Sequence, residues 1–248
     1  MPDPRSGHTR AAVAAVLLVA ATAAHSVAAQ LPALPAAQSA FPAPGLAVAV
    51  DGGHADGRTV FGVAGATGVR RLQLTAAVGI PGALPGYDRS GVSAGGRLAV
   101  RLYRSTRLGV SGFGGYGVER MRAQAEPTAI TVLDSAPAIT SSGTRPTGAF
   151  TQIPVGVSAG LRGEFGDRPY ALSIAPMYAY TRWRISDTSQ TRSGARVTAL
   201  AEIAVTPQIG VGVAGEVGSA GPLGSPYAGR RTVIGAGISY AIRRVVAR

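Results

Sequence analysis

The chain has 248 residues, enough for one barrel-sized domain and too few for several ordinary ones. Charged residues make up only 15%, Gly numbers 35 and mean hydropathy is +0.21, which disfavours both a helical protein and a tight aliphatic core. The absence of Cys excludes disulfides, thiolate chemistry and a lipoprotein anchor, while the net charge of +12 rests on Arg residues spread along the chain, unlike a nucleic-acid footprint.

Arg5 and Arg10 form a basic start, followed by an apolar run from Ala11 to Ala24. Val27 and Ala29 then supply the small residues of a signal-peptidase site before Gln30. Residues 1–29 are therefore expected to be a cleaved signal peptide. An uncleaved anchor is the weaker reading, because the run is short for a spanning helix. Residues 30–44, "QLPALPAAQSAFPAP", read as an Ala/Pro-rich periplasmic lead-in, since Pro supplies no ladder donor.

From Gly45 the pattern changes to period two. Leu98, Val100 and Leu102 share one face; Arg97, Ala99 and Arg101 share the other. The same alternation runs from Val233 to Arg243. It describes a strand with one apolar and one polar or small face. Ten such segments are expected, at 45–52, 58–67, 70–80, 91–104, 106–121, 148–163, 169–184, 194–206, 208–218 and 230–243. Most are long enough to cross a hydrocarbon layer at a tilt, and the mature chain has no run long enough for a spanning helix. The fold class is all-β: a transmembrane antiparallel up-and-down β-barrel of residues 45–248, with ten strands. Eight is the alternative if the first two segments do not both span.

The connections carry the same message. With the N-terminus in the periplasm, the inner turns fall near Gly68–Val69, Ser105, Glu164–Arg168 and Pro207, all short. The outer loops fall near Gly53–Gly57, Pro81–Ser90, Arg122–Thr147, Ile185–Ser193 and Ser219–Gly229, four of them long. Short periplasmic turns alternating with longer outer loops are the asymmetry of an outer-membrane barrel.

The apolar face would meet lipid and the polar face a narrow lumen. Arg97, Arg101, Arg162 and Arg196 are expected inside, able to pair with Glu119, Glu202 and Glu216, because Arg at mid-depth on the lipid face costs about 2–4 kcal/mol. The bland reading, side chains filling a narrow barrel, outweighs a charge-selective passage. Interface aromatics are expected at Tyr170 and Tyr240 near inner strand ends, and at Tyr116, Tyr180 and Trp183 near outer ends.

Three stretches carry a family likeness: "GRLAVRLYRSTRLGVSGFGGYGVER" from Gly96, "RVTALAEIAVTPQIGVGVAGEVG" from Arg196 and "VIGAGISYAI" from Val233. Across residues 45–243 the chain resembles the small bacterial outer-membrane β-barrel superfamily, porin-like or OmpA-type. The resemblance implies a Gram-negative outer-membrane location and a final strand, "GISYAI", read by the barrel-insertion machinery. It departs from the usual form by continuing through "RRVVAR". It implies an architecture and no specific activity.

Signals for chemistry are weak. His54 in "DGGHADG", flanked by Asp51 and Asp56, could act as a rim general base, but a polar turn explains it better. The same spacing is too generic for a metal site. Gly112, Gly114, Gly115 and Gly117 have no βαβ context and read as barrel packing, not a dinucleotide fingerprint. The Arg122–Thr147 segment is the best candidate for surface recognition. The expectation is a non-enzymatic cell-surface barrel with a structural or surface-interaction role and a largely filled lumen. It needs no cofactor or metal, and its partners are outer-membrane lipid, the insertion machinery and an unknown surface ligand, with no nucleic acid. A narrow solute pore is the second reading and a rim enzyme the third.

Overall fold

The computed structural model describes residues 39, 41, 45–55, 58–82, 87–123, 147–185, 188–218 and 231–243. The expected signal peptide, nearly all of the lead-in, most of the Arg122–Thr147 segment and the tail after Arg243 lie outside the described residues.

Alternating side chains build ten strands: β1 (Gly45–Ala55), β2 (Arg58–Val69), β3 (Leu72–Pro81), β4 (Tyr87–Arg104), β5 (Leu108–Ala123), β6 (Thr147–Phe165), β7 (Arg168–Ile185), β8 (Thr188–Ala204), β9 (Ile209–Gly218) and β10 (Arg231–Arg243). Each pairs antiparallel with its neighbours in the chain, and β1 meets β10 to close the barrel. The eight-strand alternative falls, because β1 and β2 pair along their whole length from Gly45↔Gly68 to Ala55↔Arg58.

One end of the barrel turns tightly, at 70–71, 105–107, 166–167 and 205–208. Local chemistry sets these turns. The Ser105 hydroxyl accepts from the backbone N–H of Arg107 and Leu108, and the Thr206 hydroxyl does the same for Gln208 and Ile209. Gly166 supplies a left-handed φ of 61° where β6 turns into β7. The opposite end carries the longer connections 82–86, 124–146 and 219–230. The expected long link between β7 and β8 is a correction. Both strands continue until Ile185 pairs with Thr188, leaving only 186–187 between them. "SDTSQTRS" reads as loop by its polarity. A hairpin that outruns the apolar band has no face to keep apolar, so polarity there does not end a strand.

The packing is inside out. The buried apolar residues are few and half are Ala: Val60, Ala64, Ala77, Ala99, Phe113, Phe150, Ala175, Met177, Ala179 and Val233. Roughly thirty large apolar side chains are exposed instead, among them Leu72, Leu74, Leu98, Val155 and Ile174. No charged side chain with described burial sits at an outward position except near strand ends, as with His54, Arg120, Arg182 and Arg184. Half-exposing that many side chains in water forgoes on the order of 30 kcal/mol of transfer free energy. Monomeric soluble proteins rarely expose apolar patches beyond a few hundred Å².

Candidate functional site

The lumen gathers the polar chemistry. Arg97 reaches inward from β4 and Glu216 from β9, which lie opposite each other in the strand order. The Glu216 carboxylate attracts the Arg97 guanidinium across the barrel. It also accepts from Arg196 on β8 at 3.4 Å, and the Arg196 side chain is fully buried. Arg196 continues to the Thr181 hydroxyl on β7 at 3.1 Å. Glu119 of β5 is buried as well. A chain of charged groups therefore crosses from one wall to the other.

Apolar packing braces this crossing. The Arg97 guanidinium lies over the Phe113 ring at 5.2 Å. Phe113 packs with Ala99, Ala175 and Met177 in one buried cluster. Gly156 on β6 makes room for them: a Cβ there would come within 2.8 Å of Phe113 and 2.7 Å of Met177. Buried Ser93, Ser111, Ser158, Ser173 and Thr198 line the same bulky wall.

The wall formed by β9, β10, β1 and β2 is built differently. Many of its inward residues are small, among them Gly210, Gly212, Gly235, Gly237, Ala49 and Ala64. A cavity of about 1260 Å³ lies against it and reaches the short-turn end. Two residues from before β1 enter this space. The Ser39 carbonyl accepts from the Ser111 hydroxyl at 3.3 Å, and the Ser39 hydroxyl bonds the Glu202 carboxylate. Phe41 lines the cavity with its ring over the Arg162 guanidinium at 5.5 Å.

Of the seven expected lumen ion-pair residues, Arg97, Arg196 and Glu216 come together, and Glu119 is buried on β5. Three are corrections. Arg101 donates to the Arg70 carbonyl at the short-turn end. Arg162 donates to the carbonyls of Thr106 at 2.7 Å and Ser105 at 3.0 Å. Glu202 faces the cavity and Ser39. All three do point inward, but they lie too near the mouth to reach the crossing. Sequence gives the face of a residue and not its height relative to residues on other strands.

The aromatics divide similarly. Tyr116, Tyr180 and Tyr240 are outward and exposed, and Tyr170 lies across Gly163 near the short-turn end of β7. Trp183 is a correction: it shares the inward face with Thr181 and meets buried Phe150 edge-on at 5.6 Å. Asp51 and His54 stand on opposite faces of β1, since their separation is odd and the register between them is unbroken. Asp56 lies outside the described residues. The lumen residues that sequence reading missed include Ser93, Gln152 and Thr181, all buried, together with Ser39 and Phe41. Alternation within β4, β6 and β7 carried the signal for the first three; nothing in the Ala/Pro-rich composition marked the others.

No family model matches the chain, and no curated protein does. Several solved structures match it at low similarity. Neisserial surface protein A is 12% identical, with 82% of this chain and 100% of that one covered, at a TM-score of 0.34. The translocator domain of the autotransporter NalP from Neisseria meningitidis is 10% identical over 79% of this chain and 86% of its own, at 0.43. The KdgM porin is 11% identical over 79% of this chain and 99% of its own, at 0.37.

Proposed function

We propose that the chain is a bacterial outer-membrane β-barrel with a structural or surface-interaction role, closed to solutes by its own side chains. The membrane part rests on the uncharged apolar outer belt. On β7 the outward Tyr170 and Tyr180 are ten residues apart. At about 3.3 Å per residue and a tilt of about 40°, they stand roughly 25 Å apart along the barrel axis, the height of an outer-membrane apolar band. The short-turn end faces the periplasm in this reading and the longer loops face outward.

The observation that carries the closed lumen is the Arg97–Glu216–Arg196–Thr181 crossing. Ten strands leave a narrow interior, and three long polar side chains with Thr181 across it leave no wide path. The cavity below the crossing is the feature that favours the second reading, a narrow pore. Planar-bilayer recording separates the two: a closed barrel gives no unitary steps, whereas a pore gives reproducible ones. Heat modifiability on gels with membrane fractionation tests the barrel assignment itself. A protein that shows no mobility shift and stays soluble without detergent would sink it. The chain is read as a non-enzyme, and any rim activity lost in His54→Ala would overturn that.

A further inference from the structure

Strict alternation on β4 breaks at its short-turn end. Arg101 opposes Ser111, but Tyr103 opposes Val110, so Leu102 is an extra residue. An extra residue bends the strand and reverses the alternation beyond it. Unbroken alternation would have put Arg104 on the apolar face with Leu98, Val100 and Leu102. The bulge sets it opposite Gly109, a lumen-face position.

Arg101 and Arg104 therefore share the mouth side of β4. Two neighbours join them. Arg71 belongs to the β2–β3 turn, and its carbonyl accepts the backbone N–H of Arg101 at 2.8 Å. Arg162 of β6 is pinned by its bonds to the carbonyls of Ser105 and Thr106. These four arginines line a depression of about 580 Å³. No carboxylate lines it. The carboxylates near Arg162, Glu164 and Glu202, face the adjoining larger cavity. Four like charges, two of them (Arg101 and Arg162) held by bonds to backbone carbonyls, repel one another, and an anion that accepts from several of them relieves the repulsion. Each guanidinium carries five N–H donors, so the bonds already made leave donors over.

The lip of the depression is apolar. Leu102 and Tyr103 line it and are 60% and 55% exposed. A charged floor beside an apolar lip suits an amphiphile with an anionic head. We propose that this depression is a phosphate-binding site that holds the headgroup of an anionic phospholipid from the leaflet at the short-turn end. The lipid source rests on the membrane reading above; the phosphate chemistry rests on the four arginines. The acyl chain would then run along Leu102 and Leu72 on the outer wall, and Tyr103 would mark the interface.

The test uses the mature protein folded in detergent, with its mobility shift verified first. Short-chain phosphatidylglycerol and phosphatidylcholine of equal acyl length are titrated and retention is read by native mass spectrometry. Inorganic phosphate is titrated separately by calorimetry at low salt. The double variant Arg71→Gln/Arg104→Gln removes two guanidiniums that make no side-chain bond to the turns. Arg120→Gln/Arg184→Gln, at the opposite end, is the control. The expected result is preferential retention of phosphatidylglycerol that falls roughly tenfold in the first variant and is unchanged in the control. Phosphate binding with the same loss identifies a site open to the free anion. Lipid binding without phosphate binding identifies the headgroup as the ligand. A preference that survives Arg71→Gln/Arg104→Gln, or that falls equally in the control, overturns the proposal. So does a correctly folded barrel that binds neither probe, which would leave the membrane reading standing. A chain with no mobility shift would sink the membrane reading, and the phosphate titration would then decide the anion site without it.

Discussion

Glu216→Ala asks whether the crossing is a dry network or a set of hydrated charges. The carboxylate sits 3.4 Å from Arg196, whose side chain is fully buried, and also attracts Arg97. At an effective dielectric of about 20, a pair at that separation attracts by about 5 kcal/mol before desolvation is subtracted. Deleting one partner of a buried pair leaves a charge uncompensated and costs about 3–5 kcal/mol. Two guanidiniums lose a partner here, so a loss of about 3–5 kcal/mol is expected. Denaturant unfolding in micelles measures it, with Trp183 fluorescence and gel mobility as independent probes. The double replacement Arg196→Met/Glu216→Leu should recover part of the loss, because it removes Arg196 together with its carboxylate and leaves only Arg97 without Glu216. A hydrated lumen would behave like a surface pair worth about 0–1 kcal/mol. A Glu216→Ala protein within that range, with no new conductance, would refute the idea of a dry crossing.

Leu98→Arg separates a membrane barrel from a soluble one: in lipid it should cost about 2–4 kcal/mol and reduce insertion, whereas on a watery surface the change stays within about 0.5 kcal/mol. Gly156→Ala should destabilise by about 1–3 kcal/mol, because its Cβ meets the Pro176 carbonyl at 2.5 Å as well as Phe113 and Met177. Gly65→Ala, with nothing within 4 Å of the added carbon, should be neutral or slightly stabilising in the same unfolding assay. Phe41→Ala with Ser39→Ala should leave the barrel folded by gel mobility yet make the cavity more accessible, read as faster quenching of a probe attached in the lumen; an unchanged rate would mean these residues do not occlude it.

The arrangement of strands was legible because alternation and turn chemistry are local. A strand with Leu98, Val100 and Leu102 on one side and Arg97 and Arg101 on the other has one face for lipid and one for the interior, whatever its partners are. "VTPQI" and the Gly166–Asp167 pair turn where their own side chains and φ angles make turning easy. The same locality misled at 185–193, where polarity imitated a loop that is a paired hairpin.

Sequence by itself determined that the chain is a meander of alternating strands in chain order and which face most residues take, since these follow from period two and from short connections; pairing of β1 along both β2 and β10 then decided ten strands over eight. Only the tertiary structure decided which inward residues meet. Height in the barrel depends on register and tilt, so Arg97 finds Glu216 on the far wall while Arg101, four residues away, ends at the mouth. It also decided that Trp183 points inward against Phe150, and that one extra residue at Leu102 turns Arg104 from the lipid face to the lumen side. A bulge and a register are properties of two paired strands, and neither is written in either strand alone.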